Sequence, residues 1–170
     1  MNIFLSLDYE LFLQDPGGNI TVSLIDPTNR LNDILEKNSL QAIYFVDAGY
    51  LSALNRQKST FTLLQQDHEK VISQLNQFNL YGHEIGLHIH PHWEDTFFDG
   101  NRWIVNLSRY KLADFSQADA STIFRQYYSV LQEQSNSKIV SYRAGGWCLE
   151  PFSNIRAVMR ECGVFIPVRE

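Results

Sequence analysis

The strongest constraint in this chain is a series of short apolar runs that stop at acidic or histidine-rich turns, with helical patterns between them. Ile3 to Leu7 ends at Asp8 and Glu10, the pattern of a strand buried on both faces whose carboxyl end emerges at a site. Ala42 to Val46 is dense in β-branched and aromatic residues and ends at Asp47-Ala48-Gly49, and Ile85, Leu87 and Ile89 form a third run that Pro91 stops. Helices are expected from Pro27, with Thr28 as cap, to Asn38, over residues 66 to 79 with Gly82 just beyond, over Ser116 to Gln134, and over Phe152 to Glu161. Lys138 to Tyr142 and Val164 to Ile166 read as further strands. Residues 14 to 19 form a loop around Pro16-Gly17-Gly18, and 52 to 62 are polar and poorly patterned. Strands alternating with helices imply βα units, a parallel sheet and an α/β fold.

Composition narrows the class. With 170 residues, 44% of them apolar, the chain suffices for one compact domain over 1–170. An aromatic content of 13% excludes disorder as the main state, and a formal charge of −5 has the wrong sign for holding nucleic acid by its phosphates. Cys148 and Cys162 fit neither a disulfide framework nor a metal knuckle, and are read as core thiols. The first residues carry no cationic leader, and no run approaches the roughly 20 apolar residues of a membrane span. A cytoplasmic location is expected.

Four of the five histidines, His83, His88, His90 and His92, fall within ten positions, which points to a metal site. If residues 88 to 92 were all extended, four steps of about 3.3 Å would part the outer Cα atoms by ~13 Å. The turn at Pro91 therefore lets His88 and His92 converge, with His90 pointing elsewhere. Asp8-Tyr9-Glu10 adds two carboxylates at the carboxyl end of the first strand, where parallel βα folds gather functional groups. A carboxylate and two imidazoles with an open position form a catalytic zinc-type set, and the second carboxylate is free to take a proton from water. After the fourth strand, Tyr142-Arg143-Ala144-Gly145-Gly146-Trp147 supplies glycines for close backbone approach and an arginine able to hold a carboxylate such as Asp8. Residues 93 to 114 form a long aromatic excursion that lines or lids a site, with Trp93, Phe97, Phe98 and Trp103 as candidates for stacking on sugar faces.

Three segments together, Ser6-Leu7-Asp8-Tyr9-Glu10, Gly82 to His92, and Tyr142-Arg143-Ala144-Gly145-Gly146, resemble the polysaccharide deacetylases with the NodB-like fold, of the carbohydrate esterase type. The resemblance implies a partial or distorted (β/α) barrel, a divalent metal, usually zinc, and hydrolysis of N-acetyl groups on a carbohydrate, here on cell-envelope precursors. It assigns Asp8 as general base and Arg143 as the residue orienting it. Glu10, His88 and His92 become the metal ligands. His90, Trp93, Gly145 and Trp103 are the expected substrate contacts. The family's later histidine, which protonates the leaving amine, has no counterpart, because no histidine follows His92. The chain then reads as the amino-terminal part of such a domain. The alternatives are a catalytically impaired carbohydrate-binding remnant and an amidohydrolase acting on a small non-sugar amide. An unfinished barrel leaves a strand edge open, so homo-oligomerisation is expected.

Overall fold

A computed structural model describes residues 4–12 and 19–165. Four strands, β1 (Ser6–Tyr9), β2 (Ile43–Asp47), β3 (Glu84–Ile89) and β6 (Tyr142–Ala144), pair in the order β1-β2-β3-β6. Every pairing in this sheet is parallel. The sheet curls into a half-barrel and alternates with helices, which is the mixed α/β architecture expected. The helices are α1 (Asp26–Lys37), α2 (Ala48–Gln57), α3 (Thr62–Tyr81), α4 (Gln117–Gln132) and α5 (Ser153–Cys162). A two-stranded ribbon, β4 (Phe97–Phe98) and β5 (Trp103–Ile104), lies in the segment between β3 and α4. Among the described residues no helix is long and apolar enough to cross a membrane.

Alternation along each strand decides which side chains meet the helices. Tyr44 stacks on Phe78 of α3 at 4.0 Å between ring centroids, and Tyr9 meets the same ring edge-on at 5.5 Å. Tyr142 packs edge-on against Phe124 of α4. Residues one step along the strands, Ser6, Asp8, Phe45, Gly86, His88 and Arg143, therefore occupy the opposite, concave face.

Several boundaries depart from the sequence reading. β1 runs to Tyr9, so Asp8 lies inside the strand, because pairing with β2 continues as far as Tyr9↔Val46. The fourth strand sits later than Lys138 to Tyr142, since its register with β3 starts at Leu87↔Tyr142. Beyond α5, among the described residues, one bridge, Ser141↔Phe165, extends the sheet. Thr28 caps nothing: a π-helical turn, Thr21–Ile25, runs directly into α1. The poorly patterned residues after β2 form α2, which Asp47 caps by accepting from the backbone N–H groups of Gly49 and Tyr50. α2 is buried from Ala48 through Leu54, and a helix enclosed on nearly all sides shows no amphipathic period. Cys148 and Cys162 are half-buried rather than core residues. The expected starts at Ile3 and the end at Ile166, with the loop residues 14 to 18, lie outside the described residues.

Gly49 at the start of α2 is wedged against the turn after β3. A Cβ there would lie 2.7 Å from Trp93 Cδ1, 2.8 Å from the His90 carbonyl oxygen and 2.9 Å from Tyr127 Cε2. Overpacking of this kind costs about 1–3 kcal/mol, so Gly49→Ala should lower stability by that amount in urea unfolding. An unchanged midpoint would show that the turn yields freely.

Candidate metal centre

The parallel register sets Asp47, His88 and Arg143 side by side, since Asp47 pairs with His88 and His88 with Arg143. Glu10 follows β1 directly and shares the face of Asp8, two residues earlier. Glu10 Oε2 lies 2.6 Å from His90 Nε2 and 3.1 Å from His88 Nε2, and the two imidazole nitrogens are 3.1 Å apart. Ligand atoms of Glu10, His88 and His90 all fall within 4.8 Å of one another, a group that could hold a metal ion.

The chemistry of the donors fits a cation. His88 Nδ1 is 2.8 Å from the Arg143 carbonyl oxygen. A carbonyl only accepts, so Nδ1–H donates to it, and Nε2 is the atom that faces Glu10 and His90. Glu10 Oε2 and the two Nε2 atoms face one point, where imidazole protons or one bound cation can hold them together. Two of their separations, at 3.1 Å, approach the roughly 3.3 Å between ligands about 2.0–2.1 Å from a tetrahedral zinc, and the third, at 2.6 Å, is a hydrogen-bond length. The two imidazole hydrogen bonds hold the Glu10 carboxyl far below the usual carboxylate range, outweighing its desolvation. Burial works against a proton on His90, yet the Glu10 hydrogen bond and the charges of Asp47, Glu10 and Asp8 raise its pKa above the ordinary imidazole value.

The pair of imidazoles differs from the expected one. His90 is still extended (φ −110°, ψ 99°), so it shares a face with His88 by the two-residue period of a strand. The turn Pro91–Glu94 then carries His92 past His90, where its ring lies parallel to Tyr110 at 5.9 Å between centroids. His92 is fully buried and neither ring nitrogen has a hydrogen-bond partner among the described residues. Burial, aided by the charge on His90, lowers its pKa to about 4, so the ring is neutral at pH 7. It lines a small cavity of about 180 Å³ together with Glu10, Leu11, Phe12, Asp47, His90 and Tyr110.

Asp8 and Arg143 meet as expected: Arg143 Nη1 donates to Asp8 Oδ1 at 2.5 Å, and Nη2 donates to Ser6 Oγ at 2.8 Å. Asp8, Arg143, Glu10, His88 and His90 line one cavity of about 660 Å³ with Tyr110, Tyr142 and Leu149. The expected tryptophan contacts are absent. Trp93 is 1% exposed and donates from Nε1 to Asp47 Oδ2 at 2.6 Å, while Trp103, 7% exposed, packs on Trp93, Phe98 and Tyr50. These rings close a local core and do not line the cavity. Gly145 backs the site from behind, where a Cβ would meet the His90 ring at 2.7 Å.

Sequence reasoning placed Tyr110 in the aromatic segment without naming it as a site residue, although it lines both cavities, and passed over Asp47, which is buried with its carboxyl pKa raised by desolvation. The signal for Asp47 was its place directly after a strand, the rule that selected Asp8. Neither protein-family models nor curated proteins give a match to this chain.

Zinc titration should show one site per chain. Glu10→Gln, His88→Ala and His90→Ala should each weaken it by more than about a hundredfold, and His92→Ala by less than about tenfold. The reverse order for His90 and His92 would return the centre to the pair expected from sequence.

Proposed function

We propose that this chain is a zinc-dependent hydrolase that removes N-acetyl groups from a carbohydrate, on the NodB-like fold its motifs resemble. One observation carries the reading: a Glu-His-His donor set and an arginine-held aspartate line the same cavity. That cavity lies within the roughly 300–1,000 Å³ usual for small-molecule sites. Glu10, His88 and His90 would hold a divalent ion, whose chemistry there would be Lewis-acid polarisation of the acyl oxygen.

The remaining work falls to side chains. Arg143 occupies Asp8 Oδ1, which leaves Oδ2 to serve as the proton acceptor in the cavity that Asp8 lines. As the water oxygen bonds to the acyl carbon, its proton moves to Asp8. The carbon–nitrogen bond then breaks, and the proton held at Asp8 goes to the departing nitrogen, leaving an amine and acetate. Asp8 thereby serves in turn as base and acid. Tyr110, Tyr142 and Leu149 border the space available to the sugar.

Acetate release from N-acetylglucosamine oligomers by the zinc-loaded protein tests the reading. Release should stop on chelation and resume on zinc addition. Asp8→Asn should cut turnover by roughly 10²–10⁴ while leaving zinc stoichiometry unchanged. No release from zinc-loaded protein, or release indifferent to Asp8→Asn, would remove the deacetylase reading and spare the metal centre.

A further inference from the structure

Arg143 and Asp8 belong to opposite edges of the four-stranded sheet, with β2 and β3 between them. Across a flat sheet, three steps of about 4.8 Å would part their strands by roughly 14 Å, too far for a direct hydrogen bond. The curl shortens that path, and the guanidinium then has to cross whatever β3 and β2 present beneath it. Asp8, Phe45 and Gly86 lie in one lateral row, since Asp8 pairs with Phe45 and Phe45 with Gly86. A Cβ on Gly86 would stand 2.7 Å from Phe45 Cδ1 and 2.8 Å from Ser141 Oγ. The Phe45 ring therefore fills the space that a side chain on β3 would take. Arg143 Cζ sits over that ring, 4.1 Å from its centroid.

The guanidinium is thus fixed from three sides. Its Cζ lies over the aromatic ring, Nη1 donates to Asp8 Oδ1, and Nη2 donates to Ser6 Oγ. With Arg143 about a third exposed and Asp8 more so, the ion pair is open to water. An exposed pair contributes little and swings through several geometries unless something holds it. Phe45, buried at 8% exposure, is the rigid member of the group.

We propose that Phe45 is a positioning residue: its ring, seated in the gap left by Gly86, carries the Arg143 guanidinium and thereby sets the direction of the Asp8 carboxylate. This rests on the reading of Asp8 as the base. It adds a residue outside the metal centre whose identity governs how the base is presented.

The test compares Phe45→Leu, which keeps apolar bulk and removes the ring, with Phe45→Tyr, which keeps the ring. Gly86→Ala serves as a second disturbance that tilts the ring while leaving Phe45 in place. In arginine-¹⁵N-labelled protein, ring current should place the Arg143 side-chain N–H signals upfield of those of exposed arginines. Phe45→Leu and Gly86→Ala should return them to the exposed position, and Phe45→Tyr should not. In acetate release, Phe45→Leu should lower kcat by roughly tenfold with KM and zinc affinity unchanged, and Phe45→Tyr should restore it. Arg143 signals that Phe45→Leu leaves unmoved would overturn the proposal, as would signals that move while kcat of an active enzyme stays the same. If the wild type releases no acetate, the deacetylase reading fails by itself, and the Arg143 signals still decide whether Phe45 carries the guanidinium.

Discussion

Parallel pairing obliges each strand of a sheet to deliver its carboxyl end to the same edge, and that constraint organises the candidate site of this chain. Glu10 follows β1, Asp47 ends β2, His88 and His90 lie at the end of β3, and Arg143 sits in β6. The register fixes their lateral order, and the two-residue period chooses the face. No loop needs to reach across the molecule to assemble the cluster. The curl of the half-barrel supplies the remaining approach, bringing the outer strands near enough for Arg143 to reach Asp8.

Carboxylates and imidazoles packed this closely cost desolvation energy, and the surrounding structure offsets it with specific partners. The backbone of β6 takes the outer proton of His88. The buried Asp47 spends both oxygens on donors, two backbone N–H groups at the start of α2 and the indole of Trp93. Those bonds tie the Pro91–Glu94 turn to the end of β2, and Tyr127 and Arg56 hold the same turn through Glu94. The aromatic segment after β3 thus supports the centre from outside, and only Tyr110 reaches the cavity from it.

The alternating architecture was legible because strands buried on both faces and amphipathic helices have distinct periods. The Asp8–Arg143 pair was legible too, since each residue sits near a strand end with a complementary charge. α2 was hidden because a helix enclosed by protein has no polar stripe. His92 stands four residues from His88 and can converge with it only through a turn. The strand's own alternation already places residues two apart on one face, and His90 keeps that extended conformation up to Pro91. Trp93 and Trp103 misled because composition shows that an aromatic segment exists without showing which way its rings turn. Here they satisfy one another and Asp47.

Arg143 divides its duties between two kinds of atom. The side chain aligns an acid, whereas the main-chain oxygen selects the tautomer of His88. Every amino acid possesses that oxygen, so a mutational scan of position 143 would register the first duty and stay blind to the second. The importance of this strand would be underrated by any method that reads only side-chain replacement, and backbone editing, such as amide-to-ester exchange, is the tool suited to reveal it.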